Sequence, residues 1–200
     1  MEKVEVLADS FDEIYFNEFE LTDSQRWTEL VKSFNPENFD IDSEQYKNAV
    51  IALLNIAVVD EQLAELNYLA SYNLSATDGK TDFDPEFKAH EEEEREHKYK
   101  LINRLRELNS PVPVVEIWHW QEVNSQGKKW KQEFDRNSVE ILKHRYNEEL
   151  DAVKFYELCA DFLADSSDTT TYRLFKEIKE DEEQHVLDLR DLGLGVGETL

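Results

Sequence analysis

Four long stretches of this chain repeat apolar residues every three or four positions, the period of one helical face, and in each the apolar stripe is interrupted by a carboxylate. In the last, TYRLFKEIKEDEEQHVLDL, Leu174, Ile178 and Leu189 frame Glu182 and His185. In the second, Phe87, His90, Glu94, His97, Leu101, Leu105 and Leu108 form one stripe, so Glu94 and His97 stand between apolar neighbours. The first reads Leu54, Val58, Glu61, Glu65, Leu69, Tyr72, and the third Leu142, Tyr146, Glu149, Val153, Tyr156, Leu163. Such a stripe is the side a helix buries. Acids on all four buried faces therefore limit the fold to one that gathers them around positive charge.

The layout fits a bundle. Glycine (5) and proline (4) are scarce, which favours long helices over a many-turned β protein. A first helix is expected from Ser43 to about residue 75, followed by the turn ATDGKTDFD with Asp84 as N-cap and Pro85 in the first turn. The second runs to about Asn109, where SPVP ends it. Residues 112 to 134 place β-branched and aromatic residues, including Trp118, Trp120 and Trp130, around NSQG, which predicts a β-hairpin. A third helix is expected from near Asn137 and a fourth from about Ser167 to Arg190. Two helical pairs with a long connection between them make an all-α four-helix bundle with one crossover over residues 44–191. Residues 1–43 read as an extension, with a short helix at TDSQRWTELVKSF, and 192–200 as a tail.

The second and fourth helices both carry Glu-x-x-His on the inner side, and the first and third carry a glutamate followed seven residues on by a tyrosine. The pairing taken here is Glu65 with Tyr72 and Glu149 with Tyr156, an internal duplication of a helical hairpin. An unpaired carboxylate in an apolar interior costs several kcal/mol, and four together repel. Two divalent cations balance four carboxylates, and two neutral imidazoles complete the ligand set. The predicted metal ligands are thus Glu65, Glu94, His97, Glu149, Glu182 and His185. Oxygen and nitrogen donors mixed in this way suit iron or manganese, and the pattern is that of di-iron and di-manganese carboxylate bundles. Glu61, one turn before Glu65 on the same stripe, is a candidate extra ligand or proton carrier. Tyr72 and Tyr156 are expected to be core residues whose hydroxyls bond ligand carboxylates. His90, Glu91, Glu93, Glu148 and Glu183 are expected to be exposed or to lie outside the ligand set.

Other classes are disfavoured. The net charge of −24 argues against nucleic acid or an anionic membrane as partner. The single cysteine, Cys159, forms no intrachain disulfide and reads as a small core residue. The acidic start lacks the basic and apolar runs of a signal peptide, and no apolar run approaches a membrane span, so a cytoplasmic protein is the expectation.

Over residues 45 to 191 the chain resembles the ferritin-like superfamily, and is most similar to bacterioferritin and rubrerythrin-type proteins. AELNYLASYNL, EREHKYKLINRLRELN, NEELDAVKFY and FKEIKEDEEQHVLDL resemble the four ligand helices in order. The resemblance implies the same six ligands, with Glu94 and Glu182 bridging two iron ions. It implies oxidation of Fe(II) by O2 or H2O2, as a storage ferroxidase or a rubrerythrin-like peroxidase, in a homo-oligomer. Departures qualify it. Bacterioferritin ligates haem through a methionine beside the second-helix glutamate, whereas Arg95 stands here and the only methionine is Met1, so no haem is expected. The paired cysteines of a rubredoxin domain are missing, so a peroxidase would need a separate electron donor. The rival readings are a metal-binding structural bundle without turnover, and a di-manganese catalase.

Overall fold

A computed structural model of the chain describes residues 39–41, 43–79, 81–113, 137–197 and 200. Four helices dominate them: α1, Glu44–Asp78; α2, Asp84–Glu107; α3, Ser138–Leu163; and α4, Thr169–Gly195. No strand occurs among the described residues, and the fold is the expected all-α four-helix bundle. The hairpin predicted at 112–134 and the helix predicted at TDSQRWTELVKSF lie outside the described residues.

The helix ends follow local chemistry. Ser43 caps α1 by accepting from the Tyr46 amide at 3.1 Å, and Asn137 caps α3 by accepting from Val139 and Glu140. Gly79 closes α1 at φ 80°, a left-handed conformation that a Cβ would oppose. One expected cap is corrected. Asp84 is the first residue of α2 rather than its N-cap, because the 3-10 turn Thr81–Phe83 has already wound the backbone and Phe83 takes the cap position. The Asp84 carboxylate instead accepts from the Ser75 hydroxyl, tying α2 back to α1. The fourth helix also outruns its predicted end at Arg190. Leu192, Val196 and Leu200 pack onto the core there, and that burial outweighs the poor helix propensity of Gly193 and Gly195.

Helices α1 and α2 pack as one hairpin and α3 and α4 as another. The core falls into two apolar clusters. One gathers Leu53, Leu54, Ala57 and Val58 of α1, Leu101 and Leu105 of α2, Phe155, Tyr156 and Cys159 of α3, and Phe175 and Ile178 of α4. The other gathers Tyr68, Phe83, Phe87, Ile141, Leu142 and Leu189. The first cluster draws on the early part of α1 and α4 but the late part of α2 and α3. Hence α1 and α4 run one way and α2 and α3 the other, the topology that a single long crossover connection produces. Between the clusters, at mid-height of the bundle, lies a layer of buried polar residues that includes Glu61, Glu94, His97, Glu149, Glu182 and His185.

Candidate metal centre

Each helix delivers its polar residues to this layer by heptad or one-turn spacing. Glu94 and His97 on α2, and Glu182 and His185 on α4, lie three residues apart on one face, so carboxylate and imidazole point inward together. They form two groups whose candidate ligand atoms lie within 4.8 Å of one another: Glu61, Glu94, His97, Glu182 and Glu94, Glu149, Glu182, His185. Glu94 and Glu182 belong to both.

The geometry is nearly two-fold. His97 Nδ1 lies 3.4 Å from Glu61 Oε2, 3.5 Å from Glu94 Oε2 and 3.3 Å from Glu182 Oε1. His185 Nδ1 lies 3.5 Å from Glu149 Oε2, 3.4 Å from Glu94 Oε1 and 3.0 Å from Glu182 Oε2. Each shared carboxylate turns one oxygen to each histidine. The outer ring nitrogens are held as well, Nε2 of His97 to Asp181 at 3.1 Å and Nε2 of His185 to Glu93 at 2.7 Å. A carboxylate can only accept, so each Nε2 donates outward, and Nδ1 is the nitrogen aimed at the shared carboxylates. The symmetry extends to tyrosines: Tyr68 of α1 donates to Glu149 of α3, and Tyr156 of α3 donates to Glu61 of α1.

Five of the six predicted ligands meet here, and Glu65 does not. Glu65 is turned to the side of the bundle, where its carboxylate pairs with Lys98 and accepts from Gln62 Nε2 at 3.2 Å. Glu61 occupies the expected place. The reason is helical drift: each step of four overshoots a full turn by about 40°, so 61, 65 and 69 wind off the inner face, and Leu69 is exposed. Seven residues return within roughly 20°, so Glu61 and Tyr68 share a face. Tyr68, not Tyr72, is accordingly the α1 tyrosine bonded to the cluster. The signal was present in the sequence. Glu61 precedes His97 by 36 residues, as Glu149 precedes His185, whereas Glu65 breaks the repeat. His90, expected to be exposed or to lie outside the ligand set, is buried and stacks on His185 with ring centroids 4.1 Å apart.

The electrostatics describes a site built for positive charge. Burial raises the Glu94 carboxyl well above the usual range, and the charges of Glu182 and Glu61 push the same way. Burial, then the Glu182 charge, also raises Glu149. Glu182 goes the other way: burial opposes ionisation, but the charge of His185 and the hydrogen bond with its Nδ1 at 3.0 Å outweigh it and bring the group to about 2. Glu61 is likewise lowered against its burial, chiefly by His97. For His97 and His185 burial disfavours the charged ring, yet the surrounding carboxylates raise both, Glu61 leading at His97 and Glu182 at His185. Protons on the imidazoles and on Glu94 are thereby favoured as balancing charge. They leave buried acceptors unused, since both oxygens of Glu94 and Oε2 of Glu61 have no hydrogen-bond partner, nor has His97 Nδ1. These unpartnered atoms of α1 and α2, together with the Glu149, Glu182 and His185 side chains that α3 and α4 bring to the same layer, make a donor set that could hold divalent cations.

These features define a carboxylate and histidine bundle, and the comparisons place it. The model of the ferritin-like domain matches residues 51–193, and the chain belongs to the ferritin-like family. No curated protein matches the chain by sequence. Among solved structures, the dodecameric thioferritin of Bacteroides fragilis, a bacterioferritin-related protein, is 25% identical with a TM-score of 0.61, covering 86% of this chain and 95% of its own. The bacterioferritin of Rhodobacter capsulatus, described with a metal-free dinuclear site and haem iron, is 24% identical over 70% of this chain and 81% of its own, with a TM-score of 0.58. BfrA, a bacterioferritin of Mycobacterium tuberculosis, shares the fold at 19% identity and a TM-score of 0.58, covering 72% and 83%.

Proposed function

We propose that this chain oxidises iron: it takes two ferrous ions into the layer formed by Glu61, Glu94, His97, Glu149, Glu182 and His185, and O2 or H2O2 oxidises them there. The observation that carries the reading is that two ligand groups share Glu94 and Glu182, each of which turns one oxygen to either side. Bound there, two ferrous ions supply two electrons, which with two protons reduce O2 to H2O2 or H2O2 to two waters, leaving two ferric ions.

The residues divide the work. Glu94 and Glu182 hold the pair together, Glu61 and His97 serve one ion, and Glu149 and His185 serve the other. Tyr156 and Tyr68 fix the orientation of Glu61 and Glu149 through their hydroxyls. Glu93 and Asp181 hold the outer imidazole nitrogens and are about half exposed, so they connect the buried rings to solvent protons. The apolar clusters above and below keep bulk water out of the layer.

The haem iron named for the Rhodobacter protein is not carried over, because Arg95 stands beside Glu94 and pairs with Glu91. Iron is preferred to manganese on the family's account, in a cytoplasmic homo-oligomer, with a separate electron donor needed only for peroxidase turnover. The test is to add Fe(II) to the anaerobic protein, admit oxygen or peroxide, and follow ferric absorbance and iron retained per chain. Retention of many irons marks storage and retention of two marks a catalytic centre. Oxidation at the protein-free rate, or an undiminished rate in Glu94→Ala, overturns the proposal and leaves a structural metal bundle.

A further inference from the structure

Outside the dinuclear layer, His90 of α2 is 1% exposed and neither of its ring nitrogens makes a hydrogen bond. A buried imidazole without a hydrogen bond is costly unless it serves a ligand. Its Nε2 faces two carboxylates, Glu86 one turn earlier at 3.2 Å and Asp188 of α4 at 4.0 Å. One atom from each of the three lies within 4.8 Å of the others. Rotation of the ring is restricted, because it stacks on His185 and meets the Tyr68 ring edge-on at 4.9 Å. Asp188 is positioned in turn by Gln184 Nε2, which donates to its Oδ1 at 2.7 Å.

We propose that Glu86, His90 and Asp188 form a third, mononuclear site for a divalent first-row cation at the outer side of His185. One imidazole nitrogen and two carboxylates give a mixed donor set of net charge −2, which matches one such ion. The two carboxylates are each 34% exposed, so the remaining coordination positions face water. That makes the site weaker and faster in exchange than the four-ligand groups inside. Its position, one ring thickness from His185, suits it to hold a ferrous ion next to the inner pair; this staging role, unlike the site itself, rests on the oxidase reading above.

Zinc, which undergoes no redox change, is the probe. Calorimetric titration of the full chain, with anomalous scattering at the zinc edge from soaked crystals, is expected to give three ions per chain, the weakest between His90 and Asp188. His90→Phe keeps the stack on His185 but removes the nitrogens, and Asp188→Asn changes a partly exposed residue; each is expected to bind two. Glu94→Gln is expected to weaken the inner pair while keeping the outer ion. Two ions in the wild type, or three in both His90→Phe and Asp188→Asn, overturn the site, as does loss of the outer ion in Glu94→Gln. An outer ion beside an empty inner layer sinks the oxidase reading and leaves this site standing. In the iron assay, His90→Phe is expected to slow oxidation at low Fe(II) and not at saturation; an unchanged rate at low Fe(II) removes the staging role.

Discussion

At the residue scale, Glu61 and Glu65 put the argument to its sharpest test. They sit one turn apart on α1, yet one is enclosed with His97 and the other is spent on Lys98. Glu61→Ala is therefore expected to lose one inner cation and to lower Fe(II) oxidation at least about 10-fold, the scale on which ligand-shell changes act. Glu65→Ala is expected to keep both ions and most of the rate. Metal content after dialysis, read beside initial rates, checks both; a reversed ranking would restore the sequence reading. That reading named five of the six residues gathered in the buried layer, four of them because Glu-x-x-His places its members three apart, a separation too short for drift to matter. It missed the sixth because stepping by four along α1 accumulates rotation, and only the equal 36-residue separations in the two halves correct for it. The same residues set a pH dependence. The folded-state values of His97, His185 and Glu94 are raised, so protonation of these groups competes with a cation. Metal binding is expected to release protons, and affinity to increase with pH until metal hydrolysis intervenes. Titrations in buffers of different ionisation enthalpy measure the release, and a pH-independent affinity would contradict it.

At the element scale, the start of α4 shows how the second hairpin is locked. Asp168 caps the helix by accepting from the Thr171 amide at 3.0 Å and hydroxyl at 2.6 Å, and it accepts from Arg104 of α2 at 2.8 Å. Arg104 Nε also donates to Thr171 Oγ1 at 2.7 Å, so one cap joins α2 to α4. Asp168→Ala is expected to cost about 1–2 kcal/mol and to lower Tm by roughly 2–4 °C per kcal/mol. The sign with pH follows from the lowered carboxyl of Asp168, where burial is outweighed by the hydrogen bonds from Thr171 and Arg104. The cap stabilises above the ordinary carboxylate range, and its contribution fades as pH falls through the lowered value. Melting curves of variant and wild type should therefore converge in acid; a gap that persists there would assign the loss to something other than the ionised cap. Helix existence was legible because apolar period, Ser43, Asn137 and SPVP agree. The ends were less so. Asp84 looks like a cap in sequence, but the 3-10 turn before it and the Ser75 hydroxyl are tertiary facts, and the last turns of α4 form only because Leu192 and Val196 find the core.

At the scale of the whole molecule, charge and assembly pull against each other. A chain of net charge −24 repels its copies, while a homo-oligomer, the state named for the thioferritin relative and proposed here, must bring them together. Large apolar side chains left exposed on the single chain, Leu69, Tyr99, Leu187 and Leu194, are the kind of surface that such contacts cover. Screening decides the balance, because the Debye length is about 8 Å at 0.15 M ionic strength and about 30 Å at 0.01 M. At physiological salt the charges of neighbouring subunits act only across the contact itself, whereas in dilute buffer those of whole subunits add. The oligomer is therefore expected to lose subunits as ionic strength falls from about 0.15 M to about 0.01 M. Monovalent salt should restore it in proportion to ionic strength. Divalent cations that occupy the acidic clusters should restore it at lower ionic strength, since each removes charge as well as screening it. Light scattering across a salt series reads the mass directly. An assembly whose mass ignores salt would mean that apolar contacts alone outweigh the repulsion, and a monomer at every ionic strength would remove the homo-oligomer from the proposal.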